Sequence, residues 1–181
     1  MEYRIATPDE VAKQFDWLIE QHKHDPLQEA DWTRWKKETV SDVKSGLTIP
    51  YYGFIGDTCI CEAYAKISKL VDYDLIKKNR PYLFAFRTRK DYQGQHYFTG
   101  LFNYMISDLK SRGYLKVSVG VESTETKNKE IYKHYGFNYH LIDIPETYSD
   151  GSEHIVEYYE KILWGREKIM KGERGCYIRF M

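Results

Sequence analysis

Cysteine is scarce, and its scarcity excludes a whole class of fold. The 181 residues hold three cysteines, which cannot all pair within one chain. Cys59-Ile-Cys61 has the wrong spacing for a zinc knuckle. A disulfide framework is therefore excluded, and a reducing, cytoplasmic setting is expected. Charge of one sign is missing as well. Lys+Arg and Asp+Glu number 27 each, so no global field draws in nucleic acid or an anionic membrane surface. Long apolar runs are missing too. None approaches the ~18 residues that read as a membrane span, and Met1-Glu-Tyr-Arg lacks the basic start and apolar stretch of a secretory leader. There is no Gly-x-Ser-x-Gly elbow and no His-Glu-x-x-His pair. His22-Lys-His24-Asp25 places its histidines at i and i+2 on a helix end, where water meets them, so no metal site is expected. Tyrosine, by contrast, is abundant at 17 residues. It is a core-and-edge residue first, and abundance alone says little about ligands.

The length favours a single domain over residues 1–181, with 165–181 as a C-terminal extension. Thr7-Pro8-Asp9-Glu10 is a helix start with a cap, a first-turn proline and a capping box, and Val11, Phe15, Leu18 and Ile19 continue it as one apolar face. A second, weaker helix is expected over Glu29–Ser45, carrying Trp32 and Trp35 and stopped by Gly46. Strands are predicted over Leu47–Phe54, Thr58–Ile67 and Pro81–Thr88. In the second of these, alternation puts Cys59, Cys61, Ala63 and Ala65 on one face as core residues. Lys69–Arg80 reads as a polar connection. After a turn at Gly94 a helix runs to Lys110 with Phe98, Leu101, Phe102, Met105 and Leu109 as its buried stripe. A valine-rich strand over Leu115–Val121, a short helix over Lys127–Tyr135 and a hairpin of Tyr139–Ile144 with His154–Leu163 follow. Cys176–Phe180 suggests a last strand or docking segment. With a first strand before Thr7, the order is β-α-α-β-β-β-α-β-α-β-β. Such alternation predicts an α/β fold with a mixed sheet and helices on both faces.

Two segments carry the functional signal. Asp91-Tyr-Gln-Gly-Gln-His-Tyr-Phe-Thr99 joins a strand to a helix, and the start of a helix offers unpaired N–H groups and a partial positive charge to a phosphate. Farther on, Glu125-x-x-Asn128-x-x-Ile131-Tyr132-x-His134-x-Gly136-Phe137 closes a short helix. In order and spacing the two resemble the acetyl-CoA-binding half of the GNAT (GCN5-related) N-acetyltransferases, whose turn is usually written R/Q-x-x-G-x-G/A. Two departures stand out: His96 and Phe98 occupy the glycine-type positions, and Glu125 stands where the family often has asparagine.

The resemblance implies a mixed, mostly antiparallel central sheet and acetyl-CoA as co-substrate. In that family a primary amine of a small molecule or protein attacks the thioester directly, in a ternary complex. By the same resemblance, Phe86, Arg87 and Thr88 on the strand and Gln93, Gly94, Gln95, His96, Tyr97, Phe98 and Thr99 in the turn are expected to bind the cofactor, together with Glu125, Asn128 and Tyr132. Backbone near Phe86–Thr88 would donate to the thioester carbonyl, and the strand bearing it would splay from Leu115–Val121. The Phe98 ring is expected to turn inward and His96 outward. Tyr132 is expected to be the catalytic acid for the departing thiolate, with core packing as its other reading, and Tyr135 the buried partner of Ile131. Glu122 is the one candidate base, although a solvated strand end reads as well. The cluster Arg87-Thr-Arg89-Lys90 suits either a solvated strand end or the 3′-phosphate of coenzyme A. The acceptor would meet the first two helices, the Lys69–Arg80 connection and the hairpin loop, where Tyr73, Asp74, Glu146, Tyr148 and Asp150 would suit a cationic amine. A homodimer through the terminal strands stays open. Two other readings remain: an acyl-CoA sensor without turnover, and an interaction module using Trp32, Trp35 and the tail.

Overall fold

The computed structural model describes residues 1–67 and 79–164. Most of the Lys69–Arg80 connection, with Tyr73 and Asp74, lies outside the described residues, as does 165–181 with Cys176–Phe180. The elements run β1 (Glu2–Ile5), α1 (Pro8–His22), α2 (Pro26–Lys44), β2 (Thr48–Ile55), β3 (Thr58–Lys66), β4 (Tyr82–Thr88), α3 (Tyr97–Ser111), β5 (Lys116–Glu122), α4 (Thr126–His134), β6 (Tyr139–Thr147) and β7 (Glu153–Ile162), with a short 3₁₀ turn at Lys90–Tyr92. The strands form one seven-stranded sheet in the order β1-β2-β3-β4-β5-β7-β6. Every neighbouring pair is antiparallel except β4 and β5. The fold is thus the mixed, mostly antiparallel sheet with helices on both faces. No described helix is long and apolar enough to cross a membrane.

Each face has its own core. On one, Leu101, Phe102, Met105 and Leu109 of α3 meet Ala63, Ala65, Val117 and Val119, the small side chains of β3 letting the helix come close. A fully buried leucine or methionine there contributes roughly 1.5–3 kcal/mol. On the other face, Val11, Phe15 and Leu18 of α1 pack on Tyr52, Phe54 and Tyr64. Tyr3 of β1 donates to the Tyr97 carbonyl at 3.0 Å, tying the first strand to the start of α3. A Cβ on Gly100 would lie 2.2 Å from that hydroxyl, so the helix needs glycine there.

Two details differ from expectation. Helix α2 begins at Pro26, because the Asp25 side chain accepts from the Leu27 and Gln28 amides and proline fits the first turn. Cys59 and Cys61 lie on opposite faces. The β2–β3 register passes from Gly53↔Cys61 to Phe54↔Cys59, making Ile60 the extra residue of a bulge, so Cys61 joins the α3 core and Cys59 the α1 core. Both remain buried, as expected.

Glu10 joins β1 to α1. It accepts from Arg4 at 2.5 and 2.8 Å and from the Thr7 amide at 2.8 Å, completing the predicted capping box. The Arg4 hydrogen bonds, opposed by partial burial and aided by Thr7, hold the Glu10 carboxyl at about 2. A depressed folded pKa stabilises above the unfolded value, and the contribution is lost as pH falls toward 2. Glu10→Gln is expected to cost several degrees of melting temperature at pH 6. That gap should close between pH 4.5 and 2 in calorimetric scans. Across β3 and β4, Arg87 Nε donates to Glu62 Oε1 at 2.6 Å, with Glu62 only 1% exposed. Arg87→Met leaves that carboxylate without its cation and is expected to cost about 3 kcal/mol in urea unfolding.

Candidate active site

The site begins where the sheet opens. Parallel β4 and β5 pair only through Tyr82↔Ser118 and Leu83↔Val119, although each strand has seven residues. The cause is visible on the other edge of β4. There the register passes from Tyr64↔Phe84 to Glu62↔Arg87, so Ala63 faces two residues, and Ala85 takes a positive φ of 53°. This bulge turns the second half of β4 away from β5. A cavity of about 390 Å³ opens beside Phe86 and Thr88.

The turn and the start of α3 form one wall of that cavity. Gln93, Gly94, His96, Tyr97, Phe98 and Thr99 all line it. Gly94 has a φ of 73°, and His96, the N-cap of α3, has a φ of 61°. His96 thus adopts a left-handed conformation that glycine takes without strain. Its side chain is exposed and no side chain caps the helix, so the first-turn amides from Tyr97 onward have no carbonyl of their own helix to reach. Phe98 is half-buried, its ring 5.3 Å from Phe86 and 6.0 Å from Tyr135. Gln93 and Gln95 donate side-chain amides to the Thr88 and Asp91 carbonyls, both at 3.1 Å, which draws the turn together. Gln95 does not line the cavity.

Helix α4 supplies the facing wall. Asn128, Ile131 and Tyr132 line the cavity. Glu125 does not; it accepts from Asn128 Nδ2 at 2.9 Å. Tyr132 is held edge-on by Phe86 at 5.8 Å and Phe137 at 6.1 Å. Burial, and then the Glu125 charge, push its phenol above the ordinary value, so it stays protonated at neutral pH. Tyr135 packs 4.3 Å from Phe102 and shares a 2.9 Å hydrogen bond with Thr99, whereas its expected partner Ile131 is exposed at the cavity mouth. Glu122 lies apart from the cavity, accepting from Tyr148 at 2.7 Å and 3.0 Å from His154 Nδ1.

Sequence reasoning missed a second cavity, of about 370 Å³, under α1 on the other side of β4. It shares Phe86, Thr88 and Gln93 with the first. The Arg87 side chain belongs here. Its guanidinium pairs with Glu62 and lies 5.0 Å from the Trp32 ring. Burial works against its charge, but the Glu62 charge and hydrogen bond outweigh it and leave the Arg87 pKa raised. Of the two expectations for the Arg87 side chain, a solvated strand end or a coenzyme A phosphate, the structure shows neither contact: it is engaged by Glu62 and Trp32. Arg89 stacks 4.0 Å over Trp17. Residues from α1, β3 and the end of β4 meet only through the sheet register, a long-range relation no local motif carries. No cluster able to hold a metal ion occurs among the described residues.

Solved structures with this fold are numerous. A ribosomal-protein-alanine N-acetyltransferase from Brucella melitensis superposes with a TM-score of 0.67 at 11% identity, over 90% of this chain and 99% of that one. YncA, a putative acetyltransferase from Salmonella typhimurium solved with acetyl-CoA, gives 0.66 at 13%, over 92% and 95%. An aminoglycoside 6′-N-acetyltransferase complexed with coenzyme A gives 0.63 at 15%, over 92% and 99%. No curated protein matches the sequence significantly. The family model described as "Acetyltransferase (GNAT) family" matches residues 11–137, taking in the opened sheet, the α3 turn and Tyr132, and the chain belongs to that family.

Proposed function

We propose that this chain, as a single catalytic domain, transfers an acetyl group from acetyl-CoA to a primary amine by direct attack, with Tyr132 as the acid. The observation that carries the reading is the cavity beside the unpaired end of β4, with the uncapped end of α3 and the protonated phenol of α4 on its walls. The residues present fit the co-substrate. The first-turn amides of α3 suit a pyrophosphate, and the edge of β4 beyond Leu83 is free of ladder pairing to β5, so its backbone is open to an extended amide-bearing arm. Bound acetyl-CoA would supply the thioester acyl group. The amine nitrogen bonds to the acyl carbon, the carbon–sulfur bond breaks, Tyr132 gives its proton to sulfur, and the amine releases one to solvent. The structural neighbours solved with coenzyme A or acetyl-CoA support the same co-substrate.

One feature favours a second reading, a binder without turnover: His96 and Phe98 stand where the family's turn is bare. Their geometry weakens that objection. The Phe98 ring packs on Phe86 and Tyr135, His96 is exposed, and an amide donor needs no particular side chain.

Calorimetric titration with acetyl-CoA tests the reading directly. Micromolar binding is expected, and no binding at millimolar cofactor would retire it. Tyr132→Phe is expected to lower kcat about 10²-fold or more while the acetyl-CoA Kd moves less than threefold. Equal loss in both would make Tyr132 a packing residue. His96→Gly removes the left-handed strain, so melting temperature should rise by a few degrees and coenzyme A binding should hold or tighten. A large loss of binding would make the imidazole itself a ligand.

A further inference from the structure

The second cavity is not neutral. Arg87, Arg89 and Lys90 face a single carboxylate, Glu62, across it. That carboxylate is already satisfied: it accepts from Arg87 Nε at 2.6 Å and from the Tyr64 hydroxyl at 2.9 Å. Arg89 is in the opposite condition. No carboxylate lies within ion-pair reach of it among the described residues, its buried Nε has no hydrogen-bond partner, and one terminal nitrogen reaches Gln14 Oε1 only at 3.5 Å. Stacking on Trp17 at 4.0 Å fixes the plane of the guanidinium. With Nε enclosed, the two terminal nitrogens of this held guanidinium are the planar pair that can take a carboxylate by two parallel hydrogen bonds.

Of the acidic side chains that would suit a cationic acceptor, Glu146 accepts from Tyr158 and Asp150 from the Ser152 amide and hydroxyl, while Asp74 lies outside the described residues; the candidate base Glu122 accepts from Tyr148. The unsatisfied charge at the site is positive, and it lies beside the point where the two cavities meet at Phe86, Thr88 and Gln93.

We infer that the cavity under α1 is the acceptor's anion subsite: Arg89 holds the carboxylate of an amino-acid-like acceptor while its amine enters the cleft beside Phe86 and Thr88. This deepens the acetyltransferase reading and rests on it. Phe86, Thr88 and Gln93 line both cavities and Arg89 lines the second, so an acceptor that carries its amine and carboxylate close together, as an amino acid does, suits the pair of sites. An anion at Arg89 could also come from the 3′-phosphate of coenzyme A. The side of β4 decides between them, because the uncapped α3 end opens on the other cavity and Arg89 is stacked on α1.

The test compares thiol release with saturating acetyl-CoA for the twenty proteinogenic amino acids and their C-terminal amides, in wild type, R89Q and R89K. The expected result is a preference for free acids in wild type. The acid-to-amide ratio of kcat/KM should fall about 10–100-fold in R89Q and be partly restored in R89K. Calorimetry with acetyl-CoA and dephospho-CoA separates the two sources of anion. If R89Q weakens acetyl-CoA but not dephospho-CoA, Arg89 serves the cofactor and the inference falls. Amides turned over as well as acids would also overturn it, with the acetyltransferase reading intact. If no amine is acetylated, that reading fails instead, and ligand-observed NMR of the same acid and amide pairs decides the subsite. Acid-selective binding lost in R89Q supports it, and its absence overturns it.

Discussion

The parting of β4 from β5 is the constraint on which the rest of this molecule depends. Two parallel strands side by side would normally continue their ladder, since every unpaired backbone group in a buried sheet costs free energy. Here the ladder stops after two residue pairs. What stops it lies on the opposite edge of β4, where two residues face Ala63 and Ala85 takes a left-handed turn. The Glu62–Arg87 pair sits just beyond that bulge and gives the shifted register a charge-assisted cross-strand bond. One device thus has two consequences. It frees a strand edge on the α3 side, and it turns Arg87 and Arg89 toward α1 on the other.

The α3 turn shows how a motif can lose its usual residues and keep its geometry. The second glycine-type position of the family's turn serves close approach, and a ring there would obstruct a phosphate only if it pointed outward. Phe98 has aromatic neighbours in Phe86, Phe102 and Tyr135 that take its ring sideways. The first position serves conformation, and His96 meets the left-handed requirement at a cost of about 1–2 kcal/mol. The neighbouring contacts that hold the turn, Gln93 to Thr88 and Gln95 to Asp91, help to offset that cost.

How much of this was legible depended on range. The start of α1 could be read because Thr7, Pro8 and Glu10 act within one turn. The buried stripe of α3 and the inward Tyr135 followed from helical period. Helix α2 starts three residues before the expected Glu29, because its apolar period is weak there and the signal is the cap itself, an aspartate before proline. Alternation placed Cys59 with Cys61, and a bulge one residue long reversed it. Arg87 shows the limit most clearly. Its neighbours in sequence form a basic cluster next to a phosphate-binding turn, yet its partner Glu62 is 25 residues away and faces it only through the register of β3 and β4.

The same register bears on the acceptor's protonation. Glu122 is bound by Tyr148 and His154 and lies outside both cavities, and Glu62 is committed to Arg87. An amine must nevertheless be neutral to attack. Like charges disfavour an ammonium, and a carboxylate favours it, so the balance of charge around the amine matters more than any single base. In the proposed acceptor site the substrate's own carboxylate is neutralised by Arg89, which removes the group that would otherwise hold the proton on nitrogen. Arg87 is balanced by Glu62, so with Arg89 facing the substrate's carboxylate Lys90 is the surplus cation on the cavity wall, and its charge disfavours an ammonium there. A site built in this way would bind its acceptor through the anion and favour the neutral amine through the charge that remains, leaving water to take the amine's proton while Tyr132 serves the sulfur.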